Sequence, residues 1–326
     1  MDPAFASLEK ALLKNLNNHL SQLLPHHQSV KEIYEYAVLP PGKLFRPYLA
    51  LHLYSDLLIL AGRKNQSTSS SNLLQLIEEN LENPKNPLSL LCSFLEIHHA
   101  YTLVHDDMPC MDNDLIRRGK PSLHAHYSEV EALLIGDGLI NLSYALLGDI
   151  LRFCDPAIPI SQLKLIIPIF TRLLGPKGII HGQYLDIQNG NQNHRQKNEI
   201  KNDNKNEKEN FEHVLNIHRL KTARLFQCAL LGPLLIFKDT HLLDFSLWEL
   251  GKSLYRIGDS MGVIFQLMDD HDDYVMNKND PNNSFKLYPQ MAKAELQKLK
   301  LQTLKGMDHY QLNNLKNYFQ SYLNPK

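Results

Sequence analysis

The segment LVHDDMPCMDNDLIRRGK, residues 103–120, gathers Asp106, Asp107, Asp112 and Asp114 and then runs into Arg117, Arg118 and Lys120. A second acidic segment, IFQLMDDHDDY, carries Asp269, Asp270 and Asp273. Asp269 and Asp273 are four apart, so they share a helix face. Like charges about 4 Å apart repel by about 4 kcal/mol at an effective dielectric near 20. No Lys or Arg follows this set until Lys278. Water or a divalent cation must solvate it. Ligands that are all oxygen favour magnesium, which bridges carboxylates to substrate phosphates.

The first set poses a geometric problem. Asp106 and Asp112 are six apart and lie on different faces of a regular helix. Pro109 removes a backbone donor and disfavours helix at Met108. The chain must deviate after Asp107, and a two-residue widening there brings Asp112 back toward Asp106. Taken alone, an acidic cluster at a helix end is more often solvated surface. Two clusters, each ending an apolar helix, favour the metal. Arginine forks suit phosphate, although carboxylates beside arginines also form plain ion pairs.

The elements that must position these residues are helical. Leu8, Leu12, Leu16, Leu20, Leu23 and Leu24 make one apolar face. LFRPYLALHLYSDLLILA reads as a helix opened near Pro47, where a first turn tolerates proline. PLSLLCSFLEIHHAYTLVHDD is apolar nearly all round, the mark of a buried helix. SEVEALLIGDGLINLSYALLGDILRFC is another, ended by Asp155-Pro156. Further helices are predicted near 160–174, 211–237, 242–276 and 290–322. Alternating strand patterns are scarce, so the class is all-α. Two polar stretches, 62–72 and 188–210, cannot bury enough apolar surface to offset their ordering entropy. They read as mobile loops within a single domain over 1–326.

Composition narrows the function. A net charge of −1 over 326 residues gives no electrostatic case for nucleic acid or an anionic membrane. Cys92, Cys110, Cys154 and Cys228 follow no metal spacing. The N-terminus lacks the basic and apolar regions of a secretory signal. No apolar run reads as long and uncharged enough to span a bilayer. A cytoplasmic soluble protein is the default.

These segments resemble the trans-isoprenyl diphosphate synthases, most closely the bacterial farnesyl diphosphate synthase type. DDMPCMD looks like that family's first aspartate-rich motif, with the two-residue insertion of bacterial short-chain enzymes, and FQLMDDHDD like its second, FQxxDDxxD. PGKLFRP, HGQYLD, HRLKTARL and KLYP resemble its GGKxxRP, GGQxxD, HxxKTGxL and late lysine-YP landmarks, in the family's order from about residue 40 to 290. The resemblance implies a single large helical bundle of the isoprenoid synthase type around a central apolar cavity. It implies a prenyltransferase joining dimethylallyl or geranyl diphosphate to isopentenyl diphosphate.

Carried over by position, the resemblance implies roles for named residues. Asp106, Asp107, Asp112, Asp269 and Asp270 would hold three magnesium ions on the allylic diphosphate, supported by Asp273. Arg117 and Lys221 would grip that diphosphate, with Lys286 (or Lys278) as the late lysine. Lys43, Arg46, His99 and Arg118 would bind isopentenyl diphosphate without metal. Thr222 and Gln266 would lie along the allylic chain. Tyr101, five positions before Asp106, and its neighbour Thr102 would set product length at fifteen carbons, with a geranylgeranyl product as the alternative. A homodimer is expected only from the family. Singly, each residue has a plainer reading: Lys43 and Arg46 as surface cations, His99, Gln266 and Tyr101 as core, Lys221-Thr222 as a solvated face. Departures from the pattern include Leu44, Leu115, His181, His271 and Asp272. Arg224 is another, an extra cation expected near the allylic site. A non-catalytic subunit of the same fold is the reading of another class; a terpene cyclase fits poorly, since both aspartate motifs are present.

Overall fold

The computed structural model describes residues 3–24, 27–65, 77–196, 204–276 and 282–324. Helices longer than ten residues are α1 (Pro3–Leu23), α2 (Gln28–Val38), α3 (Phe45–Asn65), α4 (Pro87–Asp106), α5 (Glu129–Phe153), α6 (Ile179–Gln196), α7 (Asn204–His218), α8 (Arg224–Ile236), α9 (Leu247–Val275), α10 (Pro289–His309) and α11 (Asn313–Leu323). The β-structure among the described residues is one hairpin, β1 (Ile116–Arg117) and β2 (Lys120–Pro121), antiparallel with Arg117 opposite Lys120. The fold is all-α, as the periodicity predicts.

The chain forms two compact units, Met1–Ile166 with Gly232–Asp244, and Ile167–Leu231 with Phe245–Lys326. In the first, α4 is buried along most of its length. Its start is set by Pro87 at the first helical position and by Asn86, whose side chain accepts a hydrogen bond from the Leu88 amide at 2.9 Å. Helix α5 packs along α4. Glycine permits that approach: a Cβ on Gly136 would overlap the His105 ring of α4, and one on Gly138 would overlap the Tyr34 hydroxyl of α2.

Helix α5 corrects one expectation. It is long and apolar enough to cross a membrane by length and composition. Its buried side, including Ala132, Ile135, Leu139, Leu146 and Leu147, explains that character as core packing. Its other side exposes Val130, Leu133 and Leu134.

In the second unit, α9 is 29 residues long and begins with a capping box. The Ser246 hydroxyl accepts from the Glu249 amide at 3.2 Å, and the Glu249 carboxylate accepts from the Ser246 amide at 3.2 Å. The predicted helix over 290–322 divides into α10 and α11 around Gln311, which has φ 55°.

The two polar stretches are less irregular than expected. Residues 62–65 finish α3, residues 188–196 finish α6, and residues 204–210 open α7. Residues 66–72 and 197–203 lie outside the described residues. Lys and Glu in 204–210 are good helix formers, whereas 188–196, with three Asn and Gly190, is carried onward by the helix before it.

Two buried histidines give the first unit a pH limit. Burial lowers the pKa of His52 to about 4 and that of His98 to about 3, from the ordinary imidazole value of about 6.5. The unfolded chain takes up a proton on each near 6.5, while the folded unit does not until the lower values. Stability is therefore complete above about pH 6.5 and falls as pH drops toward about 4, by about 1.4 kcal/mol per pH unit for each histidine. Urea midpoints measured from pH 7 to pH 4.5 should fall steeply; a flat profile contradicts the buried neutral state.

Candidate active site

The first acidic set ends α4. Asp106 is its last residue and Asp107 its C-cap. The helix does not continue past Pro109. The chain turns so that the Asp112 amide donates to the Asp106 carbonyl at 2.9 Å, and the Asn113 amide to the Met108 carbonyl at 3.1 Å. The widening brings Asp112 back beside Asp106, as Pro109 predicts. Asn113 takes a left-handed φ of 54°, which Asn tolerates better than most residues.

The two adjacent aspartates face different ways. Asp106 is half-buried and Asp112 exposed, whereas Asp107 is only 2% exposed. Arg117 Nε donates to both Asp107 oxygens, at 2.9 and 3.2 Å, and its Nη2 also bonds Oδ1. The same Nη2 reaches Asp114 Oδ2 at 2.8 Å. Burial pushes the Asp107 carboxyl above its usual range, with the Arg117 fork opposing the shift. Arg117 thus anchors the motif.

The hairpin presents the next cations. Arg118 and Gly119 both have positive φ, 53° and 75°, the two-residue turn that suits a twisted hairpin. Arg118 Nη2 pairs with Glu96 Oε1 at 3.1 Å, and Nη1 donates to the Pro40 carbonyl at 3.2 Å. Glu96 is buried in α4. Lys120 Nζ donates to the Tyr36 and Leu39 carbonyls at 2.6 and 2.8 Å and lies over the Tyr36 ring at 3.9 Å. The His99 imidazole is pushed well below its ordinary range, by burial first and then by Arg46, Arg118 and Arg117. Three of the four residues expected to bind isopentenyl diphosphate, Arg46, His99 and Arg118, therefore cluster. Lys43, the fourth, is exposed.

Tyr101 is buried on α4, its ring edge-on to His98 at 4.6 Å and to His105 at 5.9 Å. Burial raises the Tyr101 phenol, and the charge of Asp106 raises it further. Thr102 donates to the His99 carbonyl at 2.7 Å.

The second unit holds the other acidic set in the last turns of α9. Asp269 is exposed and Asp273 half-buried, while Asp270 is only 4% exposed. Asp270 Oδ2 accepts from the Ser284 amide at 2.9 Å and its hydroxyl at 2.6 Å. Its Oδ1 accepts from Gln266 at 3.1 Å, and its carbonyl from Asn283 Nδ2 at 2.6 Å. Asp270 pins residues 283–284 to the helix. Lys286, one turn on, is exposed; Lys278 lies outside the described residues.

Lys221 and Thr222 sit on a π-helical turn, Arg219–Ala223, between α7 and α8. Such turns are uncommon and recur at functional sites. Thr222 donates to Gln266 Oε1 at 2.9 Å, and Lys221 Nζ bonds Asp186 Oδ2 at 2.6 Å. Asn282 donates to Asp186 Oδ1 at 2.7 Å. The turn is gripped from two sides by glycines. A Cβ on Gly182 of α6 would overlap the Lys221 backbone, and one on Gly262 of α9 the Ala223 backbone.

Asp186 and Glu96, the acidic partners of Lys221 and Arg118, are site residues that the motif reading passed over. Asp186 ends HGQYLD, and Glu96 is a lone carboxylate within an apolar helix, which burial requires to be paired. Arg224 is a correction. It does not join Lys221 and Thr222 but turns to Gln227 Oε1 at 2.9 Å and the Tyr255 hydroxyl at 3.0 Å. Arg224 follows the π turn as the first residue of α8.

Both acidic sets stand at helix C-termini, where the helix dipole adds an unfavourable term of about 0.3–1 kcal/mol for an anion. No group of three or more His, Cys, Asp or Glu side chains converges as a metal cage among the described residues. The outward carboxylates nevertheless have the all-oxygen chemistry of a magnesium ligand set.

Comparison with known proteins gives this arrangement a class. The fold and its acidic motifs are those of an all-α prenyl transferase. The polyprenyl synthetase family model matches residues 27–286, and the chain belongs to that family. It is 27% identical over 275 residues to a geranylgeranyl diphosphate synthase of Pantoea ananas, covering 83% of this chain and 75% of that one. It is 31% identical over 237 residues to a farnesyl diphosphate synthase of Buchnera aphidicola subsp. Acyrthosiphon pisum, covering 70% and 74%. A geranyltransferase structure from Helicobacter pylori, complexed with magnesium and isoprenyl diphosphate, matches with a TM-score of 0.67 at 26% identity, covering 99% and 97%. The resemblance read from the motifs is thus borne out at the level of family and fold.

The close packing at the π turn is open to direct test. Gly262→Ala should destabilise the protein by about 1–3 kcal/mol, because backbone must move to admit the methyl group. Urea unfolding measures it, and an unchanged midpoint contradicts the contact.

Proposed function

We propose that the protein condenses an allylic diphosphate, dimethylallyl or geranyl, with isopentenyl diphosphate, head to tail, and that its main product is farnesyl diphosphate. The supporting observation is the arrangement shared by the two acidic segments, an outward carboxylate pair beside a buried, anchored one. Asp106, Asp112, Asp269 and Asp273 would hold magnesium, three ions in the family's pattern. Asp107 and Asp270 would chiefly hold the motifs in shape. Magnesium, when bound, neutralises the leaving diphosphate.

This chain's own residues do the rest. Arg117 and Lys221 bring fixed cations to the diphosphate oxygens, with exposed Lys286 able to add a third. The allylic carbon–oxygen bond breaks, and the electron pair leaves with the diphosphate. The isopentenyl double bond supplies the pair for the new carbon–carbon bond, and the resulting cation loses a proton to the departing diphosphate. Thr222 and Gln266, hydrogen-bonded to each other, present oxygen lone pairs near the developing cation. Arg46, His99 and Arg118, with Lys43, hold isopentenyl diphosphate without metal. A neutral His99 can donate one N–H there without carrying charge. Tyr101, whose ring is fixed by His98 and His105, sets the floor for the growing chain.

The whole of 1–326 would act as one domain, in a cytoplasmic homodimer. The exposed Val130, Leu133 and Leu134 of α5 suit burial against a second copy.

Chromatography of dephosphorylated products, after incubation with both diphosphates and magnesium, tests the reading. A fifteen-carbon alcohol is expected from the native protein, and a shift to twenty carbons or more from Tyr101→Ala. Twenty carbons from the native protein would reassign it as a geranylgeranyl diphosphate synthase. No product from either allylic substrate would contradict the reading and favour a non-catalytic subunit.

A further inference from the structure

The second unit contains a cavity of about 660 Å³ that involves neither acidic set. It lies along α9 and α10 and reaches the two ends of the π turn. Arg219, Arg224, Arg256 and Lys298 line it, opposed by Asp259 and Glu295. With Glu212, which faces Arg219 at 3.9 Å from outside the lining, four cations meet three carboxylates, and the excess positive charge is that of exposed Arg256. Its volume suits a small organic ligand.

The polar groups are arranged rather than scattered. Asp259 faces both Arg219, at 3.5 Å, and Arg224, at 3.8 Å. Arg224 is fixed further by Gln227 and Tyr255. Lys298 pairs with Glu295 at 2.9 Å. Arg256 has no ion-pair partner among the described residues. A second, independent sign comes from Thr303. It is 2% exposed, lines the cavity, and its hydroxyl has no hydrogen-bond partner among the described residues. A buried hydroxyl left so costs about 1–3 kcal/mol unless a ligand or water meets it. Ile257 and Leu299 add apolar wall.

We propose that this cavity is a second anion site, for a small phosphate or diphosphate compound held without metal by Arg256, Arg219 and Arg224 and by the Thr303 hydroxyl. Arg219 and Arg224 bracket Lys221 and Thr222 in sequence, one at each end of the π turn. An anion drawn between them loads that turn directly.

Calorimetric titration of the protein with inorganic diphosphate in EDTA, native beside Arg256→Glu and Thr303→Val, tests this; inorganic phosphate is run in parallel. A binding event is expected. It should weaken about tenfold or more in Arg256→Glu and measurably in Thr303→Val. Diphosphate binding tighter than phosphate identifies a diphosphate ligand; the reverse identifies a monophosphate. The near-isosteric Thr303→Val guards against misfolding of the charge reversal, and thermal melts check both. If no binding event is seen, or if every one survives both substitutions unchanged in folded protein, the site does not exist.

Discussion

Each acidic motif depends on a pair of adjacent aspartates at the C-terminal end of an apolar helix. Consecutive helical residues point about 100° apart. One member of each pair therefore turns outward and the other toward the core. Asp107 and Asp270 are the inward ones, and a buried carboxylate must be paired. Arg117 meets the first, and Ser284 with Gln266 meets the second. Those bonds fix the segment after each helix, 108–117 in one unit and 282–286 in the other. Asp106 is left half-buried and Asp269 exposed, each at a helix end whose dipole disfavours an anion.

The same logic runs through the neighbouring cations. Arg118 spends its charge on buried Glu96, and Lys221 on Asp186, so neither is a loose surface charge. Each is held in one place by its carboxylate, which would lower the reorganisation needed for the proposed anion binding. The glycines serve this end. Gly182 and Gly262 let two helices close on the π turn, and the turn in turn sets Lys221 and Thr222 beside Asp186 and Gln266.

Much of this was legible in the residues alone. Period and composition predict the all-α class, and Pro109 predicts the return of Asp112 to Asp106. The division of labour within each aspartate pair was not, because it depends on which partner the tertiary fold brings. Ser284 lies fourteen positions beyond Asp270 and carries no signal of its own. Glu96 and Asp186 were visible as residues but not as partners, since pairing across 22 and 35 positions is a property of the fold. The π turn was hidden for a different reason. It inserts one residue into an otherwise helical register, and the apolar pattern through 211–237 does not register that shift. Arg224, expected from the family pattern near the allylic site, instead bonds Gln227 and Tyr255. The polar ends of α6 and α7 show the opposite error, in which composition suggested loop where helix propensity and neighbouring packing prevailed.

The central claim is that outward aspartates serve the metal while inward ones hold the motif. Paired measurements on Asp269→Ala and Asp270→Ala, urea stability beside magnesium-dependent product formation, test it most directly. The account predicts that Asp269→Ala keeps stability within about 0.5 kcal/mol and loses activity about a hundredfold or more. It predicts that Asp270→Ala loses about 2–4 kcal/mol of stability, because the donors that Asp270 satisfies are left buried and unpaired. Equal stability in the two variants, or full activity in Asp269→Ala, would contradict it.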